Sequence, residues 1–317
     1  MKKILALVLA LAMGILLCSC GAQTEKKDTF TVGICQLAQH PALDAATQGF
    51  KEALTAEFGD KVKILEQNAS GEPNNCSTIV NSFVSQKVDL ILANATSPLQ
   101  AAASATADIP VLGTSVTDYA TALEIKNWTG TVGTNVSGTS DLAPLDQQAA
   151  MVKEWFPDAK TVGLLYCSAE ANSQYQVDVM TKELSKLGYT CKPFSFTDSN
   201  DVASVTQKAC DEVDVIYIPT DNTAANNTEA IANVVLPAKT PVIAGEAGIC
   251  TGCGVATLSI DYKDLGTATG KMAVKILKGE ADIATMPVEY ATKFTKLYNA
   301  ANCDKLGLTA PEGYTAQ

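Results

Sequence analysis

Arginine is missing from all 317 positions, and every one of the 23 basic residues is a lysine. The chain therefore lacks the bidentate fork best suited to phosphates and carboxylates. Positive charge is short altogether. A formal net charge of -11 and a pI near 4.6 exclude a nucleic-acid-binding face, because phosphate contacts need a basic surface. Histidine occurs once, at His40. No GxSxG elbow, P-loop or GxGxxG is present, and Gly130 to Gly138 lack the dinucleotide spacing, so nothing in the motifs points to catalysis. Beyond the first 20 residues no run is long and apolar enough to cross a bilayer.

What is there begins with a leader. Met1-Lys-Lys, an apolar run from Ile4 to Leu17 and Leu17-Cys18-Ser19-Cys20-Gly21 give a basic start, a short hydrophobic stretch and a small residue before a cysteine. The pattern resembles a bacterial lipoprotein signal, with residues 1–19 removed and Cys20 carrying the lipid; a plain secretory signal is the simpler alternative. Residues 20–29 are short and polar and read as a tether. Eight cysteines follow: Cys35, Cys76, Cys167, Cys191, Cys210, Cys250, Cys253 and Cys303. Cys35, Cys167 and Cys191 sit in or beside core-strand runs and read as small buried hydrophobes. Cys250-Thr-Gly-Cys253 is the one close pair, yet a zinc site wants four ligands and no further spacing supplies them. Free thiols or one local disulfide are expected, with no metal and no cofactor.

An apolar content of 47% with 18% charged residues is globular, and about 290 residues suit two modest domains by the usual length prior. Val32, Ile34 and Cys35 form a nearly continuous apolar run, as in a strand buried on both faces. From Pro41, the residues Leu43, Ala46, Phe50, Leu54 and Phe58 recur at helical spacing. Strands at Val62–Leu65, Leu90–Ala93 and Val111–Val116 follow, with a helix carrying Ile79 and Phe83 between the first two. Ser97-Pro98 reads as a cap and first helical residue, opening another helix. Thr131–Val136 reads as an edge strand or crossover, and Ser137–Asp141 as the lead into a helix through Trp155.

From Thr161 the pattern starts over. Strands near 162–166, 191–196, 213–219 and 242–245 alternate with helices, one of them from Thr223 to Val235. Residues 31–118 and 161–246 are two runs of β-α-β-α-β-α-β, a repeat of architecture and not of letters. A strand at 256–260, a helix at 265–277, one strand-like run at 288–298 and a polar tail complete the chain. Crossings between domains are expected near 133–140, 256–261 and 280–288.

In such sheets ligands lie beyond the carboxyl ends of the strands. The loop segments 31–50, 93–118, 133–152, 166–181, 219–238 and 245–262 contain no lysine, but do contain Asp44, Asp118, Asp141, Glu170, Asp178, Asp221, Glu229, Glu246 and Asp261. A cleft lined by them has acids and neutral hydrogen-bonding groups and no lysine. It disfavours phosphate esters and dicarboxylates and favours an ammonium, whose carboxylate could rest on a helix N-terminus at Thr96-Ser97 or Asn172-Ser173.

Several residues together carry a family resemblance: Val32-Gly-Ile-Cys-Gln36, His40-Pro-Ala-Leu-Asp44, Ala95-Thr-Ser-Pro98, Val116-Thr-Asp118, Pro219-Thr-Asp-Asn222 and Ser259-Ile-Asp-Tyr262. With the leader, these resemble the solute-binding lipoproteins of ABC importers, in particular the tryptophan- and aromatic-amino-acid-binding group. The resemblance implies an α/β fold of two doubly wound parallel-sheet domains joined by a three-crossover hinge, type I periplasmic-binding-protein-like. The expected division is an N-terminal lobe of residues 30–136 plus 259–282 and a C-terminal lobe of 137–258 plus 283–317. It implies ligand contacts at Gln36, His40, Asp44, Thr96, Ser97, Thr117 and Asp118 in one lobe, and at Asn172, Ser173, Asp221, Asn222, Glu246 and Asp261 in the other. Asp221 or Glu246 is expected to hold the ammonium. The protein is then a monomeric, lipid-anchored extracytoplasmic receptor, not an enzyme, that hands a zwitterionic amino acid to ABC permease subunits. A nucleoside- or sugar-binding or sensor lipoprotein on the same fold is the alternative, and a lipid-anchored hydrolase a more distant one.

Overall fold

The computed structural model describes residues 29–317, so the leader, Cys20 and all but the last residue of the tether lie outside it. The first sheet carries the parallel strands β1 (Phe30–Gln36), β2 (Val62–Asn68), β3 (Leu90–Asn94), β4 (Val111–Val116) and β5 (Val136–Ser140). A two-residue strand, β11 (Glu289–Tyr290), adds to its edge, giving the order β11-β5-β4-β3-β1-β2. The second sheet has β6 (Thr161–Cys167), β7 (Thr190–Phe196), β8 (Val215–Ile218), β9 (Val242–Ala244) and β10 (Ala256–Ser259), all parallel. Strands β12 (Thr295–Tyr298), antiparallel to β10, and β13 (Thr315–Ala316) extend it to the order β13-β12-β10-β9-β8-β6-β7.

The helices of the first lobe are α1 (Pro41–Phe58), α2 (Pro73–Ser85), α3 (Thr96–Ala105) and the single turn α4 (Tyr119–Ala122). The second lobe has α5 (Leu145–Trp155), α6 (Ala171–Lys186), α7 (Val202–Glu212), α8 (Asn222–Asn226), α9 (Thr228–Ala238) and α10 (Ala247–Gly252). Helix α11 (Tyr262–Leu277) returns to the first lobe and packs along α1. Glycines allow that contact: a Cβ on Gly266 would lie 1.9 Å from the Ala46 carbonyl oxygen, and one on Gly49 2.2 Å from that of Lys263. Each sheet has apolar side chains on both faces, Phe83 and Leu99 covering one side of the first sheet, Phe50 and Met272 the other. That is why β1, β3 and β4 read as continuous apolar runs.

Several expectations move. Residues 131–135 form no strand; Ser137 to Ser140 are themselves the body of β5. Their polarity hid the strand, and it is explained by Thr114, Thr139 and Thr269, whose buried hydroxyls bond in a chain of 3.2 and 2.8 Å. The Thr223–Val235 helix is two helices broken at Asn227, whose side chain caps the Thr223 carbonyl and reaches Ser199. The run 288–298 is two strands in different sheets, and the tail forms α12 (Ala300–Leu306) and β13. Because β5 and β11 belong to the first sheet, that lobe keeps the chain to residue 140 and again to residue 290, past the expected limits of 136 and 282. The chain crosses at 141–144, 260–261 and 291–294.

Candidate functional site

The carboxyl ends of the two parallel sheets face each other. His40, in the loop after β1, places Nε2 3.2 Å from Oδ1 of Asn222, the first residue of α8. A cavity of about 280 Å³ lies between Leu37, Ala38, Gly71 and Ser97 of the first lobe and Cys167, Glu170, Asp198 and Asn222 of the second. No lysine lines it, and its charged groups are Glu72, Glu170 and Asp198. The loop-by-loop reading of lysine scarcity thus holds for the space between the lobes.

Four acids are buried at the facing strand ends, of which only Glu170 lines that cavity, and their hydrogen bonds separate their roles. Glu170 accepts from the side chains of Asn172 (3.0 Å), Asn222 (2.7 Å) and Thr223 (2.8 Å) and from the amides of Asn222 and Thr223. Asp221 takes the amides of Ala224 (2.7 Å) and Cys167 (2.6 Å), tying β6 to the start of α8. Burial, then the Glu170 charge, raises the Asp221 pKa. Glu246 caps α10 through the amides of Gly248 and Ile249, and burial raises its pKa while His40 opposes the rise. These three carboxylates are occupied by the protein itself. Asp221 and Glu246, expected to hold an ammonium, are structural caps.

Asp141 differs. It follows β5 at the first crossing and is 3% exposed. Oδ2 accepts the Tyr262 hydroxyl at 3.0 Å, and the nearby Thr117 side chain and the residue's own amide favour the charged form, but Oδ1 is buried with no hydrogen-bond partner. Burial pushes the group up to about 6, against the lowering effect of Thr117 and Tyr262. Tyr262 keeps its proton, its pKa raised well above the ordinary value chiefly by burial, so it stays a donor. A buried carboxylate oxygen left open needs a donor, and a cationic one above all. The sequence placed Asp141 among the lysine-free acids but not among the contacts, because its strand was not recognised.

Two more buried atoms lack partners near the same strand ends, Nδ1 of His40 and Oγ of Ser115. Ser115 and Ala95 both have positive φ, 54° and 104°, at the ends of β4 and β3. Such backbone strain persists only when surroundings hold it, and it clusters at ligand sites. Ala95, not Ser97, occupies the cap position of α3, and it has no side chain to accept from the first-turn amides. Thr96 and Ser97 stand in that first turn, one buried and the other half-buried beside the cavity. A helix N-terminus of this kind attracts a carboxylate.

The remaining expected contacts divide. Asn222 lines the cavity, and Thr117 touches Asp141. Asn172 is spent on Glu170 and the Thr220 carbonyl, and Ser173 on Asn172 and Asp221. Asp118 caps α4 through Thr121 and lies near Tyr175 of the other lobe, whose phenol is raised by burial and then by Asp118. Gln36 is saturated by Ala38, Asp44 and Thr47, and with Asp44 it lines a depression on the outer face of the first lobe. Asp261 caps α11 beside the hinge. Gln36, Asp44 and Asp261 are not in the cleft, because helix capping and one tight side-chain network consume them.

Two α/β lobes hinged by three crossings and closing on an acid-lined, lysine-free cleft define a receptor for a small polar molecule. The chain belongs to the ABC transporter substrate binding protein family, which matches it over residues 31–316. It is 35% identical over 302 residues, 90% of this chain and 87% of the relative, to the tyrosine-binding protein of Clostridioides difficile. A Streptococcus pneumoniae ABC domain solved in complex with L-Trp is 35% identical, with a TM-score of 0.85 over 90% of this chain and 96% of that one. A ligand-free, open substrate-binding protein with adhesive properties from Clostridium difficile is 37% identical over 91% of this chain and 99% of its own, with a TM-score of 0.69. The fit is better to the relative bound to L-Trp than to the ligand-free, open one, and the His40–Asn222 contact joins the two lobes. The fold is periplasmic-binding-protein-like. The protein is an extracytoplasmic substrate-binding component of an ABC transporter, with a small-molecule ligand and a permease as partners. It is not an enzyme, which sets the hydrolase reading aside.

Proposed function

We propose that the cleft captures one α-amino acid with an aromatic side chain, tyrosine or tryptophan in class, and that the protein is held to the membrane through Cys20 as a monomer. The observation that carries the ligand class is the unpartnered Oδ1 of buried Asp141, which calls for an ammonium. The uncapped first turn of α3 supplies a place for the ligand carboxylate. The cavity beside Ser97 and Asn222 has room for part of a small ligand, with Asp141 outside its lining. The names of the relatives, tyrosine-binding in one case and bound to L-Trp in the other, support an aromatic side chain.

A sugar is less well served. Sugar sites stack rings on aromatic faces, but Trp128 stacks on Tyr119 in the first-lobe core, and Trp155 packs against Tyr314 on the second. A thermal-shift screen against the twenty amino acids, nucleosides and monosaccharides tests the reading. Tyrosine or tryptophan should raise the melting temperature with concentration. Stabilisation by a sugar or nucleoside, with none from any amino acid, would overturn it. Electrophoretic mobility and mass after expression with the leader, against a Cys20→Ala variant, test the anchor.

A further inference from the structure

His40 is the one histidine of the chain and joins the lobes through one ring nitrogen while the other is left over. The direction of the first bond follows from its neighbours. Asn222 donates its side-chain N–H to Glu170 Oε2 at 2.7 Å, and its backbone amide reaches the same oxygen at 3.1 Å. A carboxylate saturated by donors cannot face an amide oxygen, so Asn222 turns Oδ1 toward His40. The imidazole therefore carries its proton on Nε2 and donates it. In the neutral ring Nδ1 is then an acceptor. His40 is 6% exposed, and Nδ1 is buried with no protein donor in reach. Glu246, which caps α10, faces His40 closely enough for the histidine to lower its pKa, and its charge also acts on Asp141.

We infer that His40 is a two-sided latch, in which Nδ1 accepts an N–H or O–H from the bound ligand while Nε2–H fastens the second lobe through Asn222. The inference rests on the cleft being the amino-acid site. A ligand donor fixes the ring in the tautomer and orientation that can reach Asn222, so occupancy and closure are linked in a single side chain. The Glu170 carboxylate is the positioning group, since it decides which end of Asn222 is presented.

Because the histidine is unique, protein free of any histidine tag and labelled with 15N-histidine gives one set of ring signals. Titration with L-tyrosine or L-tryptophan should shift Nδ1 as an acceptor and hold the proton on Nε2. Two substitutions separate the nitrogens, since a glutamine amide lies where Nε2 was and an asparagine amide where Nδ1 was. His40→Gln should close on ligand, as read by small-angle scattering, but bind about 10- to 100-fold more weakly, as for one lost buried hydrogen bond. His40→Asn should keep more of the affinity and close less completely. Asn222→Ala should lose closure while the histidine shift on ligand binding survives. A wild-type protein that binds no amino acid would overturn the reading of the cleft. Tight binding with a ring protonated on Nδ1, or with unmoved histidine signals, would overturn the latch alone, as would normal closure and affinity in both His40 variants.

Discussion

Asp141→Asn should make the protein more stable and a worse binder at the same pH. The raised carboxyl, from 3.8 to about 6, means that the folded state holds the proton more tightly than the unfolded chain does. Stability is therefore fullest in acid and is lost as pH rises through that interval, which at about 1.4 kcal/mol per unit is worth roughly 3 kcal/mol. An asparagine avoids the charge while its carbonyl oxygen still accepts from Tyr262, so ligand-free Asp141→Asn should gain up to that amount near neutral pH. Binding moves the other way, because removing one partner of a buried ion pair costs roughly 3 to 5 kcal/mol, or about two to three and a half decades in Kd. The wild type should also bind progressively more weakly below about pH 6, approaching tenfold per pH unit, as the ammonium must displace the Asp141 proton. The variant should be flat over that range. Calorimetric titration with L-tyrosine and L-tryptophan at several pH values, beside urea unfolding of the ligand-free proteins, reads all of this. A variant Kd within a few-fold of wild type, or a wild-type profile flat from about pH 4.5 to 7, would refute Asp141 as the ammonium contact.

Asp221→Asn should act on stability and not on binding: the amide leaves the Cys167 or Ala224 N–H facing another N–H, and removes a charge that burial and Glu170 disfavour. The two effects oppose, so Asp221→Asn should gain clearly less in urea unfolding near neutral pH than Asp141→Asn, by about 1 to 3 kcal/mol for the lost amide bond, with ligand affinity of the folded variant little changed. Gly266→Ala drives a methyl against the Ala46 carbonyl between α1 and α11. Overpacking of about 1 to 3 kcal/mol should lower the melting temperature by several degrees in a differential scan. Residues 29–317 hold eight free cysteines, of which only Cys191 and Cys210 are partly exposed. Thiol titration should count eight in denaturant and at most those two in the native state; six in denaturant would point to one disulfide, at Cys250–Cys253 or between the touching Cys35 and Cys76.

Much of the fold was legible because both sheets are covered on both faces, which turns strands such as Leu90–Asn94 into plain apolar runs between amphipathic helices. The hinge was not. Its strand β5 is Val-Ser-Gly-Thr-Ser, whose hydroxyls bond to Thr114, Thr269 and backbone carbonyls and leave no hydrophobic signature. β11 is two exposed residues. The site was legible as a composition, acids without lysine, but not residue by residue. Asp141 and Asp221 look alike in a sequence, both acids beyond a strand end. They are told apart only by what fills their lone pairs: two backbone amides for Asp221, and for Asp141 a tyrosine returning from residue 262 that leaves one oxygen over.

That difference also explains how a cleft so rich in acid can close. Glu170, Asp221 and Glu246 are buried as the lobes meet, and each would oppose closure if it had to lose water with nothing in exchange. Each instead exchanges water for amides and side chains of its own lobe, so its desolvation is met within one rigid half and does not depend on the ligand. Asp141 is held to Thr117 and Tyr262, both in the first lobe, by only part of its bonding capacity. Of the four, only Asp141 keeps a desolvation cost that a ligand cation can meet, and such a cation shifts the lobes toward the closed state only by its preference for that state. A phosphate or dicarboxylate would add negative charge beside Glu72, Glu170 and Asp198 with no lysine to meet it, so an arrangement suited to an ammonium disfavours anions.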